Sequence, residues 1–189
     1  MVNKLNFVGI QAYTIINGEL YIILGKESYE EGWSGSETWS SFGGRPNYDV
    51  YPNQIENALD EAIREFDEES MGIFGSKENI REKISKKYYL NETKTALSFF
   101  LFIEFEDPSN IDVIVDVFKN IYLHFAQCTI EDNNRRLRLP GPCYDGFLEK
   151  TDLGFFKVSD LDTILVNVKF REEYLKDLPY LVNIIYTLI

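Results

Sequence analysis

The sequence predicts an α+β fold, on three observations. Residues 6–16 and 19–25 are two strand-like runs, NFVGIQAYTII and ELYIILG, joined by Asn17-Gly18, a strong short hairpin signal. Residues 95–106, TALSFFLFIEFE, form the most apolar run in the chain and read as a central strand. Residues 54–72 read as an amphipathic helix. There Ile55, Ala58, Leu59, Ala62 and Phe66 recur at three- and four-residue steps and give one apolar stripe.

The remaining elements follow in order. Residues 26–41 are polar and rich in Gly and Ser, a loop leading into a short strand. Its Trp33 and Trp39 either stack on a base or pack the loop. Residues 77–87 read as a short charged helix. Residues 88–90 read as a strand, and residues 91–93 turn into the central one. Residues 111–125 form a second amphipathic helix, with His124 near its end in a structural role. Residues 131–146 are a loop whose Arg135, Arg136 and Arg138 make the one basic cluster. These arginines either grip phosphates or form local ion pairs. A strand at 155–158 turns into a helix, and residues 171–189 are a packing helix carrying Pro179, a kink or break point.

Length and composition bound the function. The 189 residues suit one domain, 1–189, with a full core. The net charge of -12 speaks against a broad nucleic-acid surface and thus against extended nucleic acid as a partner. A nucleotide remains compatible, since a metal can supply positive charge locally. Cys128 and Cys143 are the only cysteines and fit a reducing cytosol, hence a cytoplasmic protein. No run is long and apolar enough for a membrane span, and no signal peptide is evident.

The second face of the helix at 54–72 breaks a local rule. Glu61, Glu65, Glu68 and Glu69 stand at i, i+4, i+7 and i+8, so their carboxylates share a face and repel. Glu68 and Glu69 fall in the last turn, where the helix dipole disfavours anions. A rule broken without local gain marks a functional site. The simplest compensation is a hard divalent cation, Mg²⁺ or Mn²⁺.

Glu56, Arg64-Glu65-Phe66 and Glu68-Glu69 also stand in the spacing of the Nudix box, GX5EX7REUXEEXGU. This stretch resembles the Nudix hydrolase family. Trp39 and Phe42-Gly43-Gly44-Arg45 add to the likeness, matching a Gly-Gly turn found before the box in many members, here in its FGG form. Two box glycines differ: Val50 and Met71 stand in their places, with Gly72 one position late. The stretch between Gly44 and Glu56 is also longer than the family's usual spacing.

The resemblance implies an α/β/α sandwich with a mixed β-sheet, carrying added helices at about 77–87 and 111–125, with the box helix at about 54–70. It implies a pyrophosphohydrolase that uses Mg²⁺ or Mn²⁺ on a nucleoside diphosphate linked to another moiety. Glu65, Glu68, Glu69 and Glu149 are the expected metal ligands, with the Gly43 carbonyl. The general base is expected among Glu65, Glu69 and Glu149, and Asp145 and Asp152 compete with Glu149. Arg64 is expected to orient the carboxylates. Glu56 either supports the site or caps the helix with Asn53. Trp33, Trp39, Arg45, Arg135 and Arg136 are candidate substrate contacts. The expected partner is a small nucleotide-type substrate, with capped RNA and a homodimer left open. A Nudix-fold binding module without hydrolysis is the competing reading, and the altered glycines favour it.

Overall fold

The computed structural model describes residues 3–105, 107, 109–135 and 148–189, with only the helical backbone of 128–135. Strands β1 (Phe7–Ile16) and β2 (Glu19–Glu27) pair antiparallel. Asn17 and Gly18 between them have φ of 52° and 78°, the paired positive values of the tight turn that suits twisted strands. Two short strands follow, β3 (Trp39–Ser40) on β2 and β4 (Phe42–Gly44) on β1. Strand β6 (Ala96–Phe102) lies parallel beside β1, and β5 (Ile84–Leu90) lies antiparallel on the outer edge of β6. Strand β7 (Lys150–Lys157) runs antiparallel on the far edge of β2. One parallel pairing among antiparallel ones makes this seven-stranded sheet mixed.

Among the described residues, five α-helices cover its two faces: α1 (Ile55–Glu69), α2 (Lys77–Lys83), α3 (Asn110–Arg135), α4 (Leu161–Asn167) and α5 (Glu172–Tyr186). The strand period of two separates the layers. Val8, Ile10 and Ala12 of β1, with Leu97, Phe99 and Leu101 of β6, meet the stripe of α1, with Ile80 and Phe118 from α2 and α3. Tyr13, Ile22, Leu24 and Phe100 point the other way, onto Tyr174, Leu178, Leu181 and Ile185 of α5. The result is the α/β/α layering. Helix α5 runs on through Pro179 without a break.

Three expectations change. The helix expected over 77–87 stops at Lys83, and residues 84–87 open β5. Its exposed Lys86 and Lys87 looked helical, yet they occupy an edge strand, where lysines guard the open side. The helix expected over 111–125 continues to Arg135, because no Gly or Pro interrupts it before Pro140. Trp39 is a packing residue: its ring meets Phe156 edge-on at 5.0 Å, and its backbone bonds Lys169 and Arg171.

The α1 layer is fixed by aromatic contact. The Phe66 ring lies 5.1 Å from Phe42 and 5.7 Å from Phe74, with no exposure. Phe66→Ala is expected to lower the unfolding free energy by about 3–5 kcal/mol, read by denaturant titration.

Candidate active site

The acidic end of α1 is seated by a pair of glycines. Gly9 and Gly43 face each other across β1 and β4. A Cβ on Gly43 would stand 2.4 Å from Gly9 Cα and from Val8 O, so only glycine lets the strands approach this closely. Glu69, fully buried, accepts the Gly43 N–H at 2.6 Å. The Glu65 carboxylate lies against Gly44, where a Cβ would stand 2.7 Å from Oε2. The FGG segment and the last two turns of α1 therefore form one unit.

Arg64 works as a clamp on this face. Its guanidinium holds Glu68 at 2.7 Å and Glu61 at 3.1 Å, and it also bonds Glu65. A planar fork can serve several carboxylates at once. Glu61 also accepts the Asn47 N–H at 2.9 Å, which ties the long stretch after Gly44 back to the helix. That stretch is further anchored by Val50, which is buried in the core and whose carbonyl accepts the Leu5 N–H. Glu56 takes neither expected role. It is exposed and lies 3.7 Å from Arg81 of α2, and Gln54 rather than Asn53 precedes the helix. At the other end, Met71 has φ of 53°, the left-handed conformation that the absent box glycine would have adopted freely.

A second cation was not legible in the sequence. Lys150, the first residue of β7, has a side chain with no exposure. Its Nζ lies 2.6 Å from Glu27 Oε1 and 3.5 Å from Glu69 Oε1. It also donates to Ser40 Oγ at 2.8 Å, while that hydroxyl donates to Glu27. Glu27 and Lys150 are 123 positions apart, and each alone reads as a solvated charge at a strand end.

Burial sets the proton affinities here. The Glu69 carboxyl is pushed up to about 8, since loss of water outweighs the attraction of Lys150, and Glu27 adds repulsion. Glu65 is raised by burial against the pull of Arg64, with Glu149 and Glu68 adding to the rise. Glu149, on the bend before β7, is raised by partial shielding from water, with Lys150 opposing and Glu27 and Glu68 adding. Glu149 thus lies within electrostatic range of Glu65, Glu68 and Glu69.

The donor set suits a hard divalent cation in kind, being carboxylate oxygen throughout. In the arrangement seen, no three His, Cys, Asp or Glu side chains among the described residues converge to hold one. Arg64 takes an oxygen each from Glu61, Glu65 and Glu68, and Lys150 stands beside Glu69. Asp152 lies 3.4 Å from Lys119 of α3. Asp145, Arg136 and Arg138 lie outside the described residues, as does the side chain of Arg135.

A cavity of about 350 Å³ opens between the start of β1 and β6 and helix α5. Phe7, Ser40, Ser41, Ser98, Arg171 and Tyr174 line it. Ser40 links it to the Lys150 network. Arg171 reaches from the cavity to Glu27 at 3.7 Å and lies over the Trp33 ring at 5.4 Å. Trp33 thus meets a residue of the cavity wall without lining the cavity itself, while Arg45 is exposed at the end of β4. No helix among the described residues is long and apolar enough to cross a membrane.

No family model matches the chain, and no curated protein matches it. Solved structures give weak likenesses. A C. elegans Ap4A hydrolase aligns over 100% of both chains at 14% identity and TM-score 0.46. The same enzyme as a binary complex aligns over 84% of both chains at 14% identity and TM-score 0.41. The NUDIX domain of Shewanella oneidensis NrtR, complexed with ADP ribose, aligns over 93% of this chain and 84% of its own at 9% identity and TM-score 0.44. Values this low carry neither a family nor an activity to this chain.

Two outcomes follow from the site's geometry. Gly43→Ala is expected to destabilise the protein by about 1–3 kcal/mol or more, seen as a lower denaturation midpoint, because the added methyl meets backbone. A carboxyl whose folded pKa of about 8 lies above its ordinary 4.5 stabilises the fold fully below 4.5 and loses that contribution as pH rises through 8. In metal-free buffer, Glu69→Gln should therefore raise the Tm relative to wild type at pH 8.5, with the gap closing at pH 5. Parallel Tm curves over that range would refute the buried assignment.

Proposed function

We propose that this chain is a divalent-metal-dependent pyrophosphohydrolase of the Nudix type, acting on a nucleoside diphosphate linked to another moiety. The observation that carries this reading is the joining of the box carboxylates to the FGG turn through Glu69 and the Gly43 N–H. Motif spacing alone fixes only positions along the chain. This contact, with the Arg64 clamp, joins the motif's two halves on one surface, which supports the reading.

Glu65, Glu68, Glu69 and Glu149 are the carboxylates available to Mg²⁺ or Mn²⁺, with the Gly43 carbonyl as a further donor. A bound cation supplies neutralisation of the diphosphate and acidification of a water. The chain's own residues do the rest. Arg64 keeps mutually repelling carboxylates together and limits their rotation. Glu65 or Glu149, each with raised proton affinity, takes the proton of the attacking water, since a base nearer neutrality accepts it more readily. The cavity under α5 is within the size range of ligand pockets and receives the nucleoside, with Phe7 and Tyr174 as aromatic walls. Arg171 supplies a fork for a phosphate at the rim.

A binding module without hydrolysis is the second reading. Lys150 favours it, because a cation already sits against Glu69 with no metal needed to offset the charge. The retained Glu65 and Glu68 favour hydrolysis, since a binder gains nothing from keeping them crowded.

A release assay decides between the two. Dinucleoside polyphosphates, nucleotide sugars, ADP-ribose, non-standard nucleoside triphosphates, diphosphoinositol phosphates and cap analogues would be offered with Mg²⁺ or Mn²⁺. Metal-dependent turnover that falls at least about 100-fold in Glu68→Gln/Glu69→Gln is expected. Saturable ligand binding without turnover, unchanged in the double variant, would establish the binder.

A further inference from the structure

The cavity under α5 exists because the sheet face beneath that helix changes from large side chains to small ones. Along β1 and β6, residues facing α5 alternate with residues facing α1. Tyr13 and Phe100 fill one end of the α5 face. At the other end stand Gly9, Ala96 and Ser98, with Gly9 and Ser98 paired across the two strands. The Phe7 ring rests on bare backbone there, since a Cβ on Gly9 would stand 2.7 Å from it. About 350 Å³ is left open.

The walls of this space keep hydrogen-bonding capacity unused. Ser41 and Ser98 line it at 5% and 8% exposure, and neither hydroxyl has a partner among the described residues. A buried hydroxyl left unmatched is unfavourable, so both are set for an occupant. Asn91 and Asp177 line the cavity on its β5 side. Asn91 Oδ1 accepts the backbone N–H groups of Thr95 and Ala96 at 2.9 and 3.1 Å. That fixes the amide and leaves its NH₂ group as unused donors. Asp177 Oδ1 accepts the Tyr89 hydroxyl at 3.0 Å, and the Tyr89 ring is stacked on Tyr180. The carboxylate is thus held in place while its Oδ2 has no partner among the described residues. Arg171, whose backbone N–H bonds Trp39, stands on the opposite side, beside β3 and β4. About 9 Å of helix rise separates it from Asp177.

We propose that Asn91 and Asp177 read the base of the nucleoside in this cavity, selecting one with an exocyclic amine beside a bare ring nitrogen, as in adenine and cytosine. This rests on the reading above in which the cavity receives a nucleoside. An ionised Asp177 only accepts hydrogen bonds, and the Asn91 NH₂ only donates them. The amine donates to the first, and the bare ring nitrogen accepts from the second. A base with a carbonyl in place of the amine turns an oxygen toward the carboxylate and a ring N–H toward the amide donors, so both contacts fail together. Polar groups left unpaired in this way discriminate more strongly than a lost apolar contact. Ser41 and Ser98 supply hydrogen bonds to the sugar.

Calorimetric titration of the intact chain with AMP, IMP, CMP and UMP in metal-free buffer tests this without turnover. Within each pair, AMP with IMP and CMP with UMP, the bases differ only at the edge in question. AMP or CMP is expected to bind at least about tenfold more tightly than its keto partner, and the pair that shows the preference tells adenine from cytosine. Asp177→Asn keeps an acceptor for Tyr89 but offers an NH₂ to the base, so the preference is expected to vanish or invert. Ser98→Val narrows the cavity and is expected to weaken binding by at least about tenfold. Far-ultraviolet circular dichroism confirms the fold of each variant. Equal affinities within both wild-type pairs would overturn the inference and leave the hydrolase reading to the release assay. An unchanged preference in Asp177→Asn, or unchanged binding in a folded Ser98→Val, would overturn it as well. So would the absence of binding by any of these nucleotides at millimolar concentration, whereas metal-dependent turnover in the release assay would still uphold the hydrolase.

Discussion

The burial of the Glu69 carboxylate is the constraint from which the rest of the site follows. A carboxylate without water must be met by donors or by positive charge, or its cost runs to several kcal/mol. One donor is the Gly43 amide, which requires β4 to lie directly beneath the last turn of α1. That position requires β1 and β4 to approach at Gly9 and Gly43. The positive charge is Lys150, which requires β7 on the far edge of β2 and a slot at Gly25. Four separated stretches, in β1, β2, β4 and β7, thus serve a single carboxyl group of α1. The anions that looked misplaced at the helix end are compensated within the chain, on one side by Arg64 and on the other by Lys150.

What the sequence revealed was whatever is periodic or local. The Asn17-Gly18 hairpin, the apolar run of β6 and the two-faced α1 are each specified by neighbours within a few positions, and each is present. The acidic face of α1 was legible for the same reason, because helix geometry fixes which side chains share a side. The second half of strand β5, residues 88–90, was legible too, but its start, ISKK, was not, since it has no alternation strong enough to outweigh the helical look of its charges. Glu56 matched a motif by spacing, yet it lies on the solvent side of the helix, and buried Glu61 holds the preceding loop instead. The Glu27–Lys150 pair was invisible for a different reason. It depends on the register of two strands far apart in the chain, and no local pattern encodes register.

The site and the cavity are two compartments with one polar seam. Ser40 touches both: its hydroxyl joins Lys150 and Glu27, and its residue lines the space under α5. Arg171 spans the same seam from the other helix layer. Ser40, Glu27 and Arg171 thus form a continuous polar connection between the cavity wall and the buried Lys150 head.

Strand β7 carries an irregularity that decides which charge is buried. Asp152 lies opposite Lys26, but Lys150, not Thr151, lies opposite Glu27. One extra residue is accommodated there as a bulge. Lys150 and Leu153 are an odd number of positions apart, and an unbroken strand would point them to opposite faces. Both point toward α1, Leu153 into its core and Lys150 to Glu69. The bulge is therefore a change of parity. Within two residues of Glu149, it selects which member of a neighbouring acid–base pair turns inward. The sign of the charge at the heart of the site is thus written in the count of residues along an edge strand, and composition alone leaves it unmarked.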